Sequence, residues 1–365
     1  DSYLFYDLLK LQCYRTRRGE SMKIEQDPNG YLLMSSFSSA SFNPQLEKVD
    51  IKESPILRAA YDPTPTDLIH INRAYYYGDS RDGVIEAAPK LNDGEIIEIG
   101  YYFGDKKPKS IIKVSSQVGC PSKCDFCEIG EERLKRNLNW EEIFQQVLAM
   151  AQVSAGFGIE ALEKPHKVSF AGTGEPLSNP DIVKAFKAIT TLKTSFKLST
   201  VFPKGQKTID RLVGIAQVAS TLSESTQLQI SLISTDQEFR QRSAGKIAAS
   251  FLEIKTGTDA WFTSFPKSRK INLSLILSEQ TPAEASTVIN LFPPDRFRFR
   301  FRSYVPTING AARGVKAISP ERLLKIKEDF RMYGYEVYDD ATPTDTEWRF
   351  SLASNVTRQR ELMKQ

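Results

Sequence analysis

The sequence predicts an α/β protein: a partial (β/α)6 barrel with a β-hairpin extension and an N-terminal accessory region. Three observations lead there. Over the C-terminal two thirds of the chain, short β-branched and aromatic runs alternate with segments of helical apolar spacing, a rhythm that builds parallel sheets with right-handed crossovers. A hairpin pattern precedes the first of these units. The segments following the first two strands are compositionally unusual, one rich in cysteine and the next in glycine, and chemistry in such barrels gathers on the loops after the strands. The expected organisation is an accessory region at 1–92, a barrel core at 93–340 and a tail at 341–365 that covers the site.

Composition agrees with a packed core. Of 365 residues, 40% are apolar and 26% charged, as in ordinary globular proteins. No apolar run reaches membrane-spanning length and no leader peptide is evident, so a cytoplasmic location without membrane is expected. Four cysteines, three of them clustered, argue against a disulfide framework. The net charge of +4 permits a nucleic-acid partner without demanding one.

Residues 1–92 carry little periodicity. A helix is expected over 1–12, then a basic turn with Arg15, Arg17 and Arg18, a loop over 35–41 and a turn from Asp62. Cys13 reads as a packed or free thiol and His70 as a structural histidine. Strands at 95–103 and 110–115 form the hairpin. A helix over 140–151 presents Trp140, Ile143, Val147 and Met150 on one face, with Asn139 or Asn137 as its cap. Further strands are expected at 167–171, 197–201, 227–232, 270–277 and 297–304, with helices at 181–192, 208–219, 245–254, 282–291 and 320–333. A short strand at 335–338 ends the pattern. Between Arg296 and Arg302 arginine and phenylalanine alternate, so each residue type owns one face of the strand. Phe297, Phe299 and Phe301 are expected inside the barrel with Ser303, and the arginines outside. The converse, arginines lining the lumen, would need a register shift.

Cys120, Cys124 and Cys127 are spaced C-x3-C-x2-C directly after the second hairpin strand. Soft thiolates suit an iron–sulfur cluster or zinc. With no further cysteine or histidine close by, three ligands leave a metal position open. This spacing, with Phe126 just before the last cysteine, resembles the radical S-adenosylmethionine (SAM) superfamily. The resemblance implies a [4Fe–4S] cluster on the three cysteines and SAM chelating the fourth iron through its amino and carboxyl groups. It further implies that an electron from the cluster splits SAM to a 5′-deoxyadenosyl radical, and that a flavodoxin- or ferredoxin-like donor supplies that electron.

Gly172, Gly174 and Glu175 follow the next strand, where glycine admits close backbone approach and the carboxylate is an acceptor. The resemblance makes this the segment that receives the SAM amino group. Ser199 and Ser231 end the following strands, at the height to hydrogen-bond a ribose or carboxylate. Together with Arg136, Asn137 and Leu138 before the first helix, these motifs resemble one subfamily over roughly 93–340: the radical SAM methyltransferases acting on C2 of adenine in 23S rRNA and tRNA. Glu98 matches, with a two-residue shift, a family glutamate near the substrate base. Ser303 stands where the family has an asparagine contacting SAM, and Ile233 where it has histidine.

Two departures bear on mechanism. The family carries a cysteine seven residues before the first cluster ligand and a second near its C-terminus that bears a methyl group. Here the first position is Lys113, and no cysteine follows Cys127. Neither serine nor alanine replaces a methyl-carrying thiolate. The expectation is a radical SAM enzyme that abstracts hydrogen from a small molecule, nucleoside or peptide by a route without methyl-cysteine. The alternatives are action on an RNA base, and a non-catalytic cluster- and SAM-binding regulator.

Overall fold

A computed structural model of the chain describes residues 23–26, 32–35, 68–71, 73–79, 81–104, 109–127, 129, 132–156, 167–222, 225–304 and 314–338. The expectations for the helix at 1–12, for Cys13, Arg15, Arg17 and Arg18, for most of the 35–41 loop, for the turn from Asp62 and for 341–365 lie outside these residues.

Among the described residues the strands are β1 (Lys23–Gln26), β2 (Leu32–Ser35), β3 (Ile69–His70), β4 (Arg73–Asp79), β5 (Asp82–Ala87), β6 (Lys90–Leu91), β7 (Ile99–Gly104), β8 (Lys109–Val114), β9 (Gln117–Val118) and β10 (Arg136–Asn137). Helix α1 (Trp140–Gly156) and strand β11 (Lys167–Phe170) follow, then α2 (Ile182–Thr190), β12 (Ser195–Thr200), α3 (Gln206–Ser220) and β13 (Thr226–Ile233). The chain continues with α4 (Gln237–Ala244), α5 (Phe251–Ser264), β14 (Ile271–Leu277), β15 (Phe297–Ser303), α6 (Pro320–Met332) and β16 (Val337–Tyr338).

One sheet runs in the order β1, β2, β4, β5, β7, β8, β11, β12, β13, β14, β15, β16. From β8 onward every pairing is parallel. Before β8 every pairing is antiparallel. The barrel strands thus continue into an antiparallel meander, and β4 and β5, within the stretch expected to have little periodicity, add directly to the hairpin. No described helix is long and apolar enough to cross a membrane.

The sheet faces are sorted by chemistry. Val168, Phe170, Phe196, Leu198, Leu228, Ile230, Leu273 and Leu275 are buried in the core. Phe186 of α2 packs on Phe196 of β12, the rings tilted with centroids 4.4 Å apart, which places this parity beneath the helices. The intervening positions, among them Lys197, Ser199, Gln227, Gln229, Asn272 and Ser274, occupy the opposite, lumenal face.

Strand β15 corrects the expected facing. Phe299 lies 4.5 Å from Phe330 of α6 and 4.8 Å from Tyr335, and Phe301 lies 5.0 Å from Phe330. The phenylalanines therefore face the helices and the arginines face the lumen: Arg298 donates to Asn272 Oδ1 (2.5 Å) and Gln227 Oε1 (2.7 Å), and Arg300 to Gln229 Oε1 (3.1 Å). No bulge is required. Helix α6 supplies an aromatic surface on which each buried phenylalanine gains about 2 kcal/mol, whereas amide side chains on neighbouring strands meet the guanidiniums. Ser303 shares the phenylalanine parity and is exposed.

Helix starts follow their caps. Asn139 accepts from Glu142 N (2.8 Å) while Glu142 Oε2 accepts from Asn139 N (2.9 Å), closing a reciprocal cap on α1. The helix expected over 245–254 is displaced: one helix ends before that span, at Ala244, and the next begins only at Phe251. Gly245, at φ +79, ends α4, and a capping box between Ser250 and Glu253 starts α5. The helix expected over 282–291 is reduced to a single turn at Ala285–Thr287. Thr281 O is taken by Arg322, and Pro282 O by Ser234 Oγ and Thr235 N, so carbonyls that a first helical turn would use are engaged elsewhere. Three β-branched residues in succession, Thr287 to Ile289, add to the disfavour.

Candidate active site

The loop after β8 is fastened to its neighbours before the first cysteine is reached. Gln146 of α1 meets Ser115 at both backbone groups, accepting from N (2.7 Å) and donating to O (3.1 Å). Ser115 Oγ donates to Glu98 O (2.6 Å) and accepts from Thr173 N (2.9 Å). Ser116 N and Gln117 N both donate to Thr173 O, and Gln117 Oε1 accepts from Glu175 N (2.7 Å). Asn179 Nδ2 ties Ser116 O (2.6 Å) to Leu138 O (2.8 Å). The cysteine loop and the glycine loop are one hydrogen-bonded unit.

Gly172 and Gly174 serve that unit. A Cβ on Gly172 would sit 2.7 Å from Ser115 Oγ and 2.8 Å from the Val114 carbonyl. Gly174 has φ +104, and a Cβ there would meet Gln117 Cβ at 2.6 Å. The close approach their lack of a side chain permits is to the chain itself.

Glu175 is buried at the centre. Its carboxylate accepts from Thr200 Oγ1, Val201 N (2.8 Å) and Leu177 N (3.1 Å). Burial nevertheless raises its pKa to about 7. Ser199 Oγ is buried without a hydrogen-bond partner, and an orphaned hydroxyl of this kind is explained when a ligand supplies the bond. Ser231 is half-buried, and its carbonyl accepts from Arg240 (2.8 Å).

Among the described residues the cysteines form no disulfide; Cys124 is buried and Cys120 and Cys127 are half-buried. Burial pushes Cys120 up to about 12 and holds Cys124 well above the usual thiol range, with the charges of the other two cysteines and of Glu175 adding to it. Cys124 packs with Ile233, Ala244 and Ala248, and Phe126, Cys127, Val201 and Phe239 lie at the edge of that cluster. Ile233 holds φ +72 where the register shifts after Ser231, an unusual conformation for a β-branched residue. Among the described residues no three His, Cys, Asp or Glu side chains form a group of the kind that holds a single metal ion. Three soft donors on one loop, two of them against apolar side chains, with a buried acceptor and an orphaned hydroxyl on the next loops and strands, fit a cluster with SAM.

Glu98 is paired through its side chain with Lys113. Lys113 Nζ is 2.8 Å from Glu98 Oε1 and 3.5 Å from Glu86 Oε1, and it lies 5.7 Å from the Tyr102 ring centroid. Burial lowers the Lys113 pKa, but the charges of Glu98, Tyr102 and Glu86 overcome it and leave the ammonium above its ordinary range. Ser303 lies at the exposed end of β15.

Sequence reasoning passed over Gln117, Thr173, Asn179, Thr200 and Arg240. Thr173 lies inside the glycine motif and Gln117 three residues before Cys120, so both were within reach. Arg240 was not, because its polar surrounding sequence carries no signal of burial.

No family model matches the chain. It is 36% identical over 172 residues, 46% of its length, to the probable dual-specificity RNA methyltransferase RlmN of Thermosynechococcus vestitus, covering 46% of that protein. It is 32% identical over 199 residues to the similarly named protein of Acaryochloris marina, covering 54% of this chain and 48% of that one. The chain thus spans about half the length of the curated relatives it matches. Among solved structures it is similar to a radical SAM methyltransferase from Sphaerobacter thermophilus, with a TM-score of 0.60 and 19% identity over 81% of each chain. The chain shares the partial-barrel fold of that structure.

Proposed function

We propose that this chain is a radical SAM enzyme in which Cys120, Cys124 and Cys127 hold a [4Fe–4S] cluster and the rim of β11 to β13 holds SAM. One observation supports the reading above others: Cys124 and Cys127 of the three-cysteine loop pack with Val201, whose N–H is held by the buried carboxylate of Glu175, and Ser199, two residues before Val201, has a buried hydroxyl without a partner. When bound, the cluster would supply the electron that cleaves SAM to the radical that abstracts hydrogen from substrate. The chain's own residues bind and orient. Glu175 accepts the SAM ammonium, and its tendency to hold a proton ends when that cation arrives. Ser199 donates to a ribose or carboxylate oxygen. Ile233, Ala244 and Ala248 exclude water from the sulfurs.

The methyl-cysteine route is not open to this site. Lys113 occupies the position of the family's earlier catalytic cysteine and is committed to Glu98 and Glu86. The similarity to proteins named as RNA methyltransferases favours an RNA base as substrate over the small molecule expected from the departures alone. The basic lumenal residues Lys197, Arg298 and Arg300 suit a phosphate-bearing partner of that kind.

Anaerobic reconstitution tests this. Wild type should take up four iron and four sulfide per chain and release 5′-deoxyadenosine from SAM after reduction, while Cys124→Ala should lose both. Mass spectrometry of RNA and of small-molecule extracts after incubation then separates the substrate classes. A single zinc per chain, or SAM bound without deoxyadenosine release, would count against the enzyme reading.

A further inference from the structure

Helix α4 carries Arg240 into the interior behind the cysteine loop, where the residue has 0% exposure. Its guanidinium donates to four backbone carbonyls: Nη1 to Ser231 (2.8 Å) and Leu232 (3.3 Å), Nε to Ala249 (3.3 Å), and Nη2 to Val201. Carbonyl oxygens hold a guanidinium in place but do not cancel its charge, and a buried cation without a counter-ion is strongly unfavourable. Val201, whose carbonyl it meets, packs against the cluster of Cys124, Ile233, Ala244 and Ala248 and gives its own N–H to Glu175. Glu175 is already engaged by Thr200, Val201 and Leu177, and on the reading above it answers the SAM ammonium. That leaves the sulfur side.

The helix cannot swing away from that side. Asp125 N donates to Ser243 O (2.9 Å), and Cys124 Sγ lies 4.0 Å from Ala244 O. A Cβ on Gly245 would meet Lys123 N at 3.0 Å. The last turn of α4 and the cysteine loop are in contact along their length.

We propose that Arg240 is the fixed counter-charge of the cysteine-held cluster and sets its reduction potential. The inference rests on the cluster assignment under Proposed function. One-electron reduction adds a single negative charge to the cluster, with no bond made or broken, the electron coming from an external one-electron donor. A cation held beside the sulfurs favours the more negative state, the more so in a water-poor pocket where charge is weakly screened. Arg240 touches neither substrate nor SAM in this scheme; it is a positioning residue that acts through the cluster.

The test is an EPR-monitored redox titration of the reconstituted protein without SAM, for wild type, Arg240→Lys and Arg240→Met, normalised to iron and sulfide per chain. At a fixed potential, Arg240→Met should hold about tenfold less reduced cluster than wild type, a shift of about 59 mV for one electron. Arg240→Lys should stay near wild type. An unchanged potential in a fully loaded Arg240→Met protein overturns the proposal. So does an equal shift in the lysine and methionine variants, because lost carbonyl bonds would then explain it. If methionine prevents loading, Arg240→Gln, which keeps donors for the carbonyls, takes its place. Loading of the lysine variant but of neither neutral one supports the proposal, and loading of none of the three overturns it. If wild type assembles no [4Fe–4S] cluster, the assignment under Proposed function fails first and this inference falls with it.

Discussion

Lys113 and Arg240 are both buried cations close to the cysteine loop, and they are solvated by the protein in opposite ways. Lys113 meets two carboxylates, at 2.8 and 3.5 Å, and its charge is accounted for within its own strands. Arg240 meets backbone carbonyls, and its charge is the one proposed to act on the sulfurs. Burial alone therefore says little about role. What separates a structural ion from a functional one is whether the surrounding acceptors are charged.

The largest effect should come from breaking the closed pair. Lys113→Met leaves Glu98 and Glu86 buried without their cation and should cost about 3–5 kcal/mol in denaturant unfolding. Adding Glu98→Gln should recover much of that loss. If Lys113→Met is nearly neutral, the contrast with Arg240 collapses.

Glu175 sharpens the comparison through pH. Its ordinary pKa of 4.5 is raised to about 7 by burial. An acid raised on folding keeps its proton in the native state where the unfolded chain has released it, so the protonated form favours folding. In the protein without SAM, stability should be highest below about 4.5 and fall by about 3 kcal/mol as pH rises through 7. Unfolding midpoints against pH should show this slope in wild type and not in Glu175→Gln, and SAM should flatten it.

Gly174→Ala tests the unit lying between the two cations. With φ +104 and a Cβ contact at 2.6 Å, alanine should cost about 1–3 kcal/mol, and it should lower SAM affinity by displacing Glu175. Asn139→Ala removes a cap remote from both cations and should cost about 1 kcal/mol in thermal unfolding, with no change in cluster content. A loss of iron in that variant would show that the loop is less independent than its hydrogen bonds suggest.

Much of this was legible in the sequence. Three cysteines in eight positions and a glycine loop one strand later stand out in any frame, and the strands of the barrel carry apolar runs that propensity alone locates. The facing of β15 was not legible, because period two fixes which residues share a side and not which side meets the helices. That depended on Phe330 and Tyr335, more than 25 residues on. Helix α4, with sequence Gln237–Ala244 polar on most sides, offered no apolar stripe; its order comes from the Asp236 cap and from Arg240. At 282–291 the periodicity was real, but side-chain claims on the carbonyls outweighed it. Strands β4 and β5 pair two residues from the turn between them, a local signal hidden by the irregular stretch around it.

The change of strand direction at β8 also bears on how the chain acquires its shape. Pairings from β4 to β8 link neighbours in sequence, whereas each later parallel pairing must await an intervening helix or loop. Local contacts form sooner than distant ones, and during synthesis the N-terminal side is available first. The meander should therefore assemble early and offer the free edge of β8 as a template on which the remaining strands are laid down one after another, with the thiols coming together only once β13 and the helix behind it have arrived.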